Sequence, residues 1–306
     1  MTVQKIPALT LLQMTRPGFL IITVMACLLG IANAAAHQTH INGWHAAFSL
    51  ALALMAHASA NVLNDYADAL NGADAANTTG IYPFTGGAGL IQRQIVNLPQ
   101  TQQLYGVLAA VLMAGGIWLA ARTTPELFVL GFIGLFLAWA YSAPPLALMC
   151  RGLGEATVAV CWTLVCVGAD MVQRQHFALD MFFPAISLGL LIGNILLING
   201  FPDAPSDAQV GKNTLVVQLG THAAARVYAW VANGAHAVLW AWIYVKALPP
   251  SAAWGLATWP LAMWASYALV RHAQTAQQLR PVIVLTIATA CLHAGLLAVG
   301  LVVALP

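Results

Sequence analysis

The stretch FFPAISLGLLIGNILLING, residues 182–200, contains nineteen consecutive residues without a charged side chain. A helix needs roughly 20 apolar residues to cross a bilayer core about 30 Å thick, so this stretch predicts a transmembrane helix. Comparable runs recur from one end of the chain to the other. The sequence predicts nine spans, at residues 18–36, 44–63, 104–121, 126–142, 153–170, 182–200, 226–245, 253–270 and 281–304.

The composition indicates an all-helical membrane protein. Of the 306 residues, 60% are hydrophobic and 7% are charged, and the mean hydropathy is +0.79. A soluble domain needs far more charge on its surface, whereas a helix in lipid satisfies its backbone polar groups internally. We therefore predict one domain over residues 1–306, an all-α bundle of nine transmembrane helices.

Charge and cysteine content exclude several partners. The formal net charge is +2 and the eleven Lys and Arg residues are scattered, so the chain lacks the basic stripe that nucleic-acid binding requires. The five cysteines show no CxxC spacing, which argues against zinc and disulfides. No motif indicates an obligatory protein partner. Residues 1–13 lack the pattern of a secretory signal, so we expect the first span to remain in the mature protein.

The basic residues predict the orientation of the chain in the membrane. With a cytoplasmic N-terminus, eight of the eleven Lys and Arg residues fall on the cytoplasmic side, which satisfies the positive-inside rule. These eight are Lys5, Arg16, Arg93, Arg151, Lys212, Arg226, Arg271 and Arg280, while Arg122, Arg174 and Lys246 fall outside. We expect a multi-pass protein of a bacterial inner membrane.

Acidic residues gather on the same predicted face. They are Asp65, Asp68, Asp74, Asp203 and Asp207, with Glu155 as a sixth on that side. The five aspartates fall in two long predicted loops, residues 64–103 and 201–225, or in the helix ends that lead into them. Neighbouring carboxylates repel one another, and a bound divalent cation would explain why they are gathered there.

The spacing within each acidic group suits a metal site. In the stretch NVLNDYAD, the side chains of Asn61, Asp65 and Asp68 share one face if the second helix continues through them. In the second group, Asp203 and Asp207 are again four residues apart. Each helix end would then present several oxygen ligands together.

Magnesium is the cation that these ligands favour. It takes oxygen ligands and is typically held by one or two carboxylates together with water and substrate phosphates. Two facing aspartate groups would hold a diphosphate through Mg²⁺ and neutralise it as it leaves. Aspartates also occur as helix caps and solvated loop residues, but two such groups at the inner ends of spans favour the metal site.

At this point the residues resemble a known family. The stretches NDYADALNGAD (64–74) and NGFPDAPSDAQVGKNTLVVQLG (199–220) resemble the two aspartate motifs of the UbiA superfamily of intramembrane prenyltransferases. TRPGFL (15–20) is similar to the family's entry into its first helix, and YSAPPLALMCRGLGE (141–155) to its YSxPP-to-GxGE loop. The resemblance implies a helical bundle around a central cavity, with Mg²⁺ and diphosphate at the cytoplasmic end and a lipid-facing opening for the prenyl tail.

The resemblance also assigns roles to residues of this chain. It implies that the metal and diphosphate are held by Asn64, Asp65, Asp68, Asp203 and Asp207, with Asp74 as a further metal ligand and Asn61 beside them. It implies that Lys212 contacts the phosphates as a point charge. Tyr141 is expected to line the reaction chamber, where its ring would favour a nearby carbocation.

The acceptor is indicated less directly. The spacing NDxxDxxxGxD is closer to the dihydroxynaphthoate prenyltransferases of menaquinone synthesis than to the hydroxybenzoate enzymes. Where relatives often read GGSRVIQ, residues 86–92 read GGAGLIQ, so Gly89 replaces the expected arginine. We expect either that Arg93 substitutes for that arginine in binding the substrate, or that this substrate lacks the anionic group that the arginine would bind.

Alternatives remain open from the sequence. The same chemistry would serve another acceptor, such as 4-hydroxybenzoate in ubiquinone synthesis or homogentisate. A non-catalytic lipid-binding protein or transporter would use the carboxylates only to bind a cation. His57, one turn before Asn61, either packs between helices or points into the cavity.

Overall fold

The structure, a computed structural model, describes residues 6–304. Within this range the chain forms eleven α-helices and no β-strand. In chain order they are α1 (Ala8–Met14), α2 (Leu20–Ala36), α3 (Gly43–Asn71), α4 (Ala73–Ala76), α5 (Leu98–Arg122), α6 (Glu126–Ser142), α7 (Gly154–Arg174), α8 (Phe182–Gln209), α9 (Leu215–Tyr244), α10 (Trp259–His272) and α11 (Arg280–Val303). Lys5, which the orientation prediction used, lies outside the described residues.

The prediction of an all-helical membrane protein is confirmed, but the count of nine helices is not. The described residues form eleven α-helices, of which α1 and α4 are only seven and four residues long. Each of the nine predicted spans overlaps one of the other helices. Six helical stretches are long and apolar enough to cross a membrane, namely Pro17–Ala36, Gly43–Asn71, Leu98–Arg122, Gly154–Arg174, Leu179–Gln209 and Arg280–Val303, and the apolar helix Glu126–Ser142 is shorter.

Two helices extend further than the sequence predicts. Helix α3 ends at Asn71 and is capped by Gly72, whose φ of 84° lies in the left-handed region that favours glycine. Helix α8 continues to Gln209 through Pro202 and Pro205. Of the two predicted positions, loops or the helix ends that lead into them, the aspartates of both motifs therefore occupy helix ends. Helical geometry fixes which of them share a face.

Helix α8 is the central element of the bundle, because it packs mainly against α7 and α9 and also contacts α2 and α11. Glycines permit the closest approaches. A Cβ at Gly189 on α8 would lie 2.5 Å from the carbonyl oxygen of Ala159 on α7. A Cβ at Gly30 on α2 would lie 2.2 Å from the carbonyl oxygen of Cys166 on α7. Small residues at such positions are typical of helix contacts within membranes.

A cavity of about 610 Å³ lies within the bundle and is lined by residues of α2, α3, α5, α6, α7 and α8. Asp68, Asp203 and Asp207 stand at one end of it. Ile117 on α5 and Phe132 on α6 also line it, although they are 58% and 72% exposed. The cavity therefore opens sideways between α5 and α6, towards the surface that lipid covers.

Candidate active site

Lys212 connects the two aspartate motifs. Its Nζ donates hydrogen bonds to both carboxylate oxygens of Asp68 on α3, at 2.8 and 2.9 Å, and lies 3.6 Å from Oδ1 of Asp207 on α8. Burial alone would lower the pKa of Lys212, but the carboxylates of Asp68 and Asp207 raise it well above its ordinary value. The ammonium group is therefore charged at every physiological pH, and it faces the cavity between the motifs.

Arg16 contributes a second cation to the same end of the cavity. It forms a salt bridge with Asp65, and its Nη2 donates a 3.1 Å hydrogen bond to Oδ1 of Asn64. Asp65 also accepts a 3.2 Å hydrogen bond from the backbone N–H of Ala88. The sequence identified Arg16 only as a charge that sets orientation, although it lies within the TRPGFL motif. Its contact with Asp65 was not predicted.

Asp203 is held by the segment that follows α4. Asn77 Nδ2 donates to one of its carboxylate oxygens at 2.6 Å, and the backbone N–H of Gly86 donates to the other at 3.3 Å. The hydroxyl of Thr79 donates to the carbonyl oxygen of Pro202 at 2.6 Å. Residues 77–86 thus fold onto the end of α8 and cover the site.

Asp74 lies close to the first motif. A Cβ at Gly87 would be 2.6 Å from Asp74 Oδ2 and 3.1 Å from Asp65 Oδ1, so the Gly87 backbone separates these two carboxylates. Burial raises the pKa of Asp74 to about 7, and the charge of Asp68 adds to the shift. Asp74 is therefore harder to ionise than an exposed aspartate, first because it is buried and second because Asp68 lies nearby.

The ligand atoms at this end of the cavity are of the chemical type that a hard divalent cation binds. Five carboxylates face two cations, Arg16 and Lys212, which leaves a formal excess of three negative charges (five minus two). Carboxylate oxygens are the ligands that Mg²⁺ prefers. Within residues 6–304, however, no group of three or more His, Cys, Asp or Glu side chains is arranged to hold a metal ion. Arg16 and Lys212 instead occupy two of the carboxylates.

The remaining predicted residues occupy different positions. Asn61 and Tyr141 line the cavity, and Asn61 Nδ2 donates to the backbone oxygen of Thr15 at 2.9 Å. Arg93 is exposed and is not among the residues that line the cavity. Its guanidinium donates to the carbonyl oxygens of Gly89 and Ala88 at 3.0 and 3.1 Å, so it braces the segment that contains Gly89.

His57 points into the cavity and also packs between helices. It is among the lining residues, and its Nδ1 is 2.8 Å from the hydroxyl of Thr23 on α2. Its ring meets that of Trp162 on α7 edge to face, with centroids 4.8 Å apart. Both sequence interpretations of this residue therefore apply.

The chain is similar in sequence to known proteins. The sequence model of the UbiA prenyltransferase family matches residues 20–290. The chain is 27% identical over 256 residues to the 1,4-dihydroxy-2-naphthoate octaprenyltransferase of Escherichia coli. The aligned region covers 78% of this chain and 81% of that relative.

Solved structures share the fold. The apo structure of a UbiA homolog from Aeropyrum pernix K1 gives a TM-score of 0.70 at 15% identity and covers 90% of this chain and 97% of its own. A UbiA homolog from Archaeoglobus fulgidus bound to DMAPP and Mg²⁺ gives a TM-score of 0.61 at 14% identity. That match covers 94% of this chain and 99% of the homolog.

Proposed function

The chain belongs to the UbiA prenyltransferase family, and from this premise we propose that it transfers a polyprenyl group from a polyprenyl diphosphate to 1,4-dihydroxy-2-naphthoate. The observation that carries the proposal is the position of Lys212, which contacts Asp68 and approaches Asp207 at one end of the cavity. Two motifs from opposite halves of the chain thereby form one charged site that adjoins an apolar cavity. A diphosphate with an apolar tail has matching chemistry.

Mg²⁺ is the proposed cofactor. The residues that would hold it are Asp65, Asp68, Asp74, Asp203 and Asp207. When bound, it would neutralise the diphosphate as negative charge develops on the leaving group. The Archaeoglobus homolog with DMAPP and Mg²⁺ supports this assignment by analogy of fold.

The chain's own residues supply the rest of the chemistry. Lys212 and Arg16 place fixed positive charge beside the phosphate oxygens, where charge develops in the transition state. Asn64 and Asn61 supply amide groups at the same end of the cavity. The segment 77–86 lies over the site and excludes water that would otherwise quench an allylic cation. Tyr141 lines the chamber beneath it, where its ring favours that cation.

The proposed acceptor rests on two observations. The first motif has the spacing NDxxDxxxGxD over Asn64 to Asp74, and the E. coli relative is named for 1,4-dihydroxy-2-naphthoate. The proposed orientation places the aspartate end of the bundle at the cytoplasmic face of a bacterial inner membrane, because most Lys and Arg residues fall on that side.

The test is a transfer assay on the purified protein in lipid nanodiscs. It combines Mg²⁺, radiolabelled polyprenyl diphosphate and a panel of 1,4-dihydroxy-2-naphthoate, 4-hydroxybenzoate and homogentisate, with EDTA as control. The proposal predicts Mg²⁺-dependent labelling of the naphthoate. Labelling of 4-hydroxybenzoate or homogentisate alone would contradict the acceptor assignment. No labelling of any acceptor would contradict the proposed function.

A further inference from the structure

A polar surface lies one helical turn deeper in the cavity than the aspartates. Asn199 precedes Asp203 by four residues on α8, which places it about 6 Å further along the helix axis, and both side chains line the cavity. Oδ1 of Asn199 is buried and has no hydrogen-bond partner. A buried, unpaired acceptor is costly unless a ligand satisfies it.

Glu155, in the first turn of α7, contributes a further carboxylate to the lining of the same cavity. The start of α7 is fixed against α8, because a Cβ at Gly193 would lie 3.0 Å from the Glu155 carbonyl oxygen. In the described part of the chain, Glu155 forms no salt bridge and receives no hydrogen bond from another side chain. The preceding residue packs against Tyr141, because a Cβ at Gly154 would lie 3.4 Å from the Tyr141 ring.

The cationic side chains of the cavity already form ion pairs with aspartates. Among the described residues, Arg16 and Lys212 are the cationic side chains that line the cavity, and they bind Asp65 and Asp68 respectively. Glu155 is therefore available as a hydrogen-bond acceptor. An anionic group of a substrate would be repelled by it, whereas a hydroxyl group would be bound.

We infer that Glu155 and Asn199 bind a ring hydroxyl of the aromatic acceptor, and that Glu155 takes its proton. This inference rests on the proposed function and deepens it. The selected acceptor must carry a phenolic hydroxyl at the face turned towards α7 and α8. Any carboxylate of the acceptor must point away from Glu155.

The proposed step balances as follows. The hydroxyl proton passes to Glu155, and a ring carbon of the phenolate forms a bond to the first carbon of the prenyl chain. The bond from that carbon to the diphosphate oxygen breaks, and its electron pair leaves with the diphosphate. The ring carbon then loses its carboxylate as carbon dioxide, and the bonding pair of that group restores aromaticity. Glu155 returns its proton to the oxygen.

The experiment compares Glu155→Gln, Glu155→Asp and Asn199→Leu with wild type, with Glu126→Gln as the matched control. Glu126 also lies in the first turn of a helix, but it does not line the cavity. Thermal shift is measured with Mg²⁺ and geranyl diphosphate, with 1,4-dihydroxy-2-naphthoate, and with 2-naphthoate, which lacks both hydroxyls. A bound ligand raises the unfolding temperature, and at a fixed concentration the rise is larger for a ligand that binds more tightly.

The inference predicts that wild type and Glu126→Gln respond to dihydroxynaphthoate and far less to 2-naphthoate. In Glu155→Gln and Asn199→Leu the apparent Kd for dihydroxynaphthoate should rise by at least about tenfold. The apparent Kd for geranyl diphosphate should stay within about twofold of the wild-type value. Glu155→Asp should recover part of the affinity, because it restores the carboxylate.

In the transfer assay, the KM for the acceptor should rise in Glu155→Gln, while the KM for the prenyl diphosphate does not. An equal loss of affinity for dihydroxynaphthoate and geranyl diphosphate, or unchanged binding of dihydroxynaphthoate, would overturn the inference. An inactive wild-type protein would contradict the proposed function, and the binding measurements would still decide the role of Glu155.

Discussion

The ammonium group of Lys212 lies 2.8 and 2.9 Å from the two carboxylate oxygens of Asp68, a residue 144 positions earlier in the chain. This contact joins the loop after α8 to the C-terminal end of α3. Both residues are within a site that combines carboxylates, two cations and an apolar cavity. The packing of the helices therefore brings the two aspartate motifs together in one site.

Lys212→Ala should lower kcat/KM for the prenyl diphosphate by at least about 100-fold, since it removes fixed positive charge beside the leaving group. Lys246→Ala is the control, because Lys246 is exposed and does not line the cavity. Steady-state transfer assays on both variants provide the test. Equal activity of the two variants would exclude a role for Lys212 in diphosphate binding.

Gly87→Ala should impair diphosphate binding more than stability. The added Cβ would approach Asp74 Oδ2 to 2.6 Å and Asp65 Oδ1 to 3.1 Å, so it would displace carboxylates of the site. Gly220→Ala controls for backbone strain, because Gly220 also has positive φ but has nothing within 4 Å of its Cβ position. At Gly220, where φ is 73° and ψ is 158°, that strain alone costs roughly 1–3 kcal/mol.

The two glycine variants are compared by thermal unfolding and by the Kd for geranyl diphosphate with Mg²⁺. The expected result is a loss of stability in both variants, with weakened diphosphate binding in Gly87→Ala alone. A similar Kd in the two variants would show that the segment around Gly87 does not shape the site.

Gly30→Ala should destabilise the bundle by roughly 1–3 kcal/mol, the usual cost of overpacking. The new Cβ would meet backbone, the carbonyl oxygen of Cys166 at 2.2 Å, which cannot move aside as a flexible side chain would. Gly234→Ala is the control, because its Cβ would have nothing within 4 Å. A lower unfolding temperature for Gly30→Ala alone is expected in detergent, and identical curves would contradict the close contact of α2 with α7.

The sequence was sufficient to predict the helical class and the approximate position of each long helix. Long uncharged runs admit few other structures in lipid. The helical spacing of Asn61, Asp65 and Asp68 was also predictable, on the condition that α3 continues through them. The continuation of α8 past Pro202 and Pro205 could not be predicted, because proline removes a backbone donor and usually ends or kinks a helix.

Contacts across the fold could not be predicted from spacing alone. Asn77 binds Asp203 from 126 positions away, and nothing in its local sequence separates it from an ordinary loop residue. Arg16 lies 49 positions before Asp65, and its charge was interpreted only through the positive-inside rule. Arg93 was expected in the site because of its proximity to Gly89, but its guanidinium is bonded to the backbone of that segment.

The most direct test of the account is the stoichiometry of the reaction in wild type, Asp65→Ala and Asp207→Ala. Diphosphate release and prenylated 1,4-dihydroxy-2-naphthoate are measured in the same samples, with Mg²⁺ and with EDTA, and each variant is shown to be folded by its unfolding temperature. The account predicts equal amounts of the two products from wild type with Mg²⁺ only, and neither product from either variant. Full activity in a folded Asp65→Ala or Asp207→Ala protein, or transfer that persists in EDTA, would contradict it.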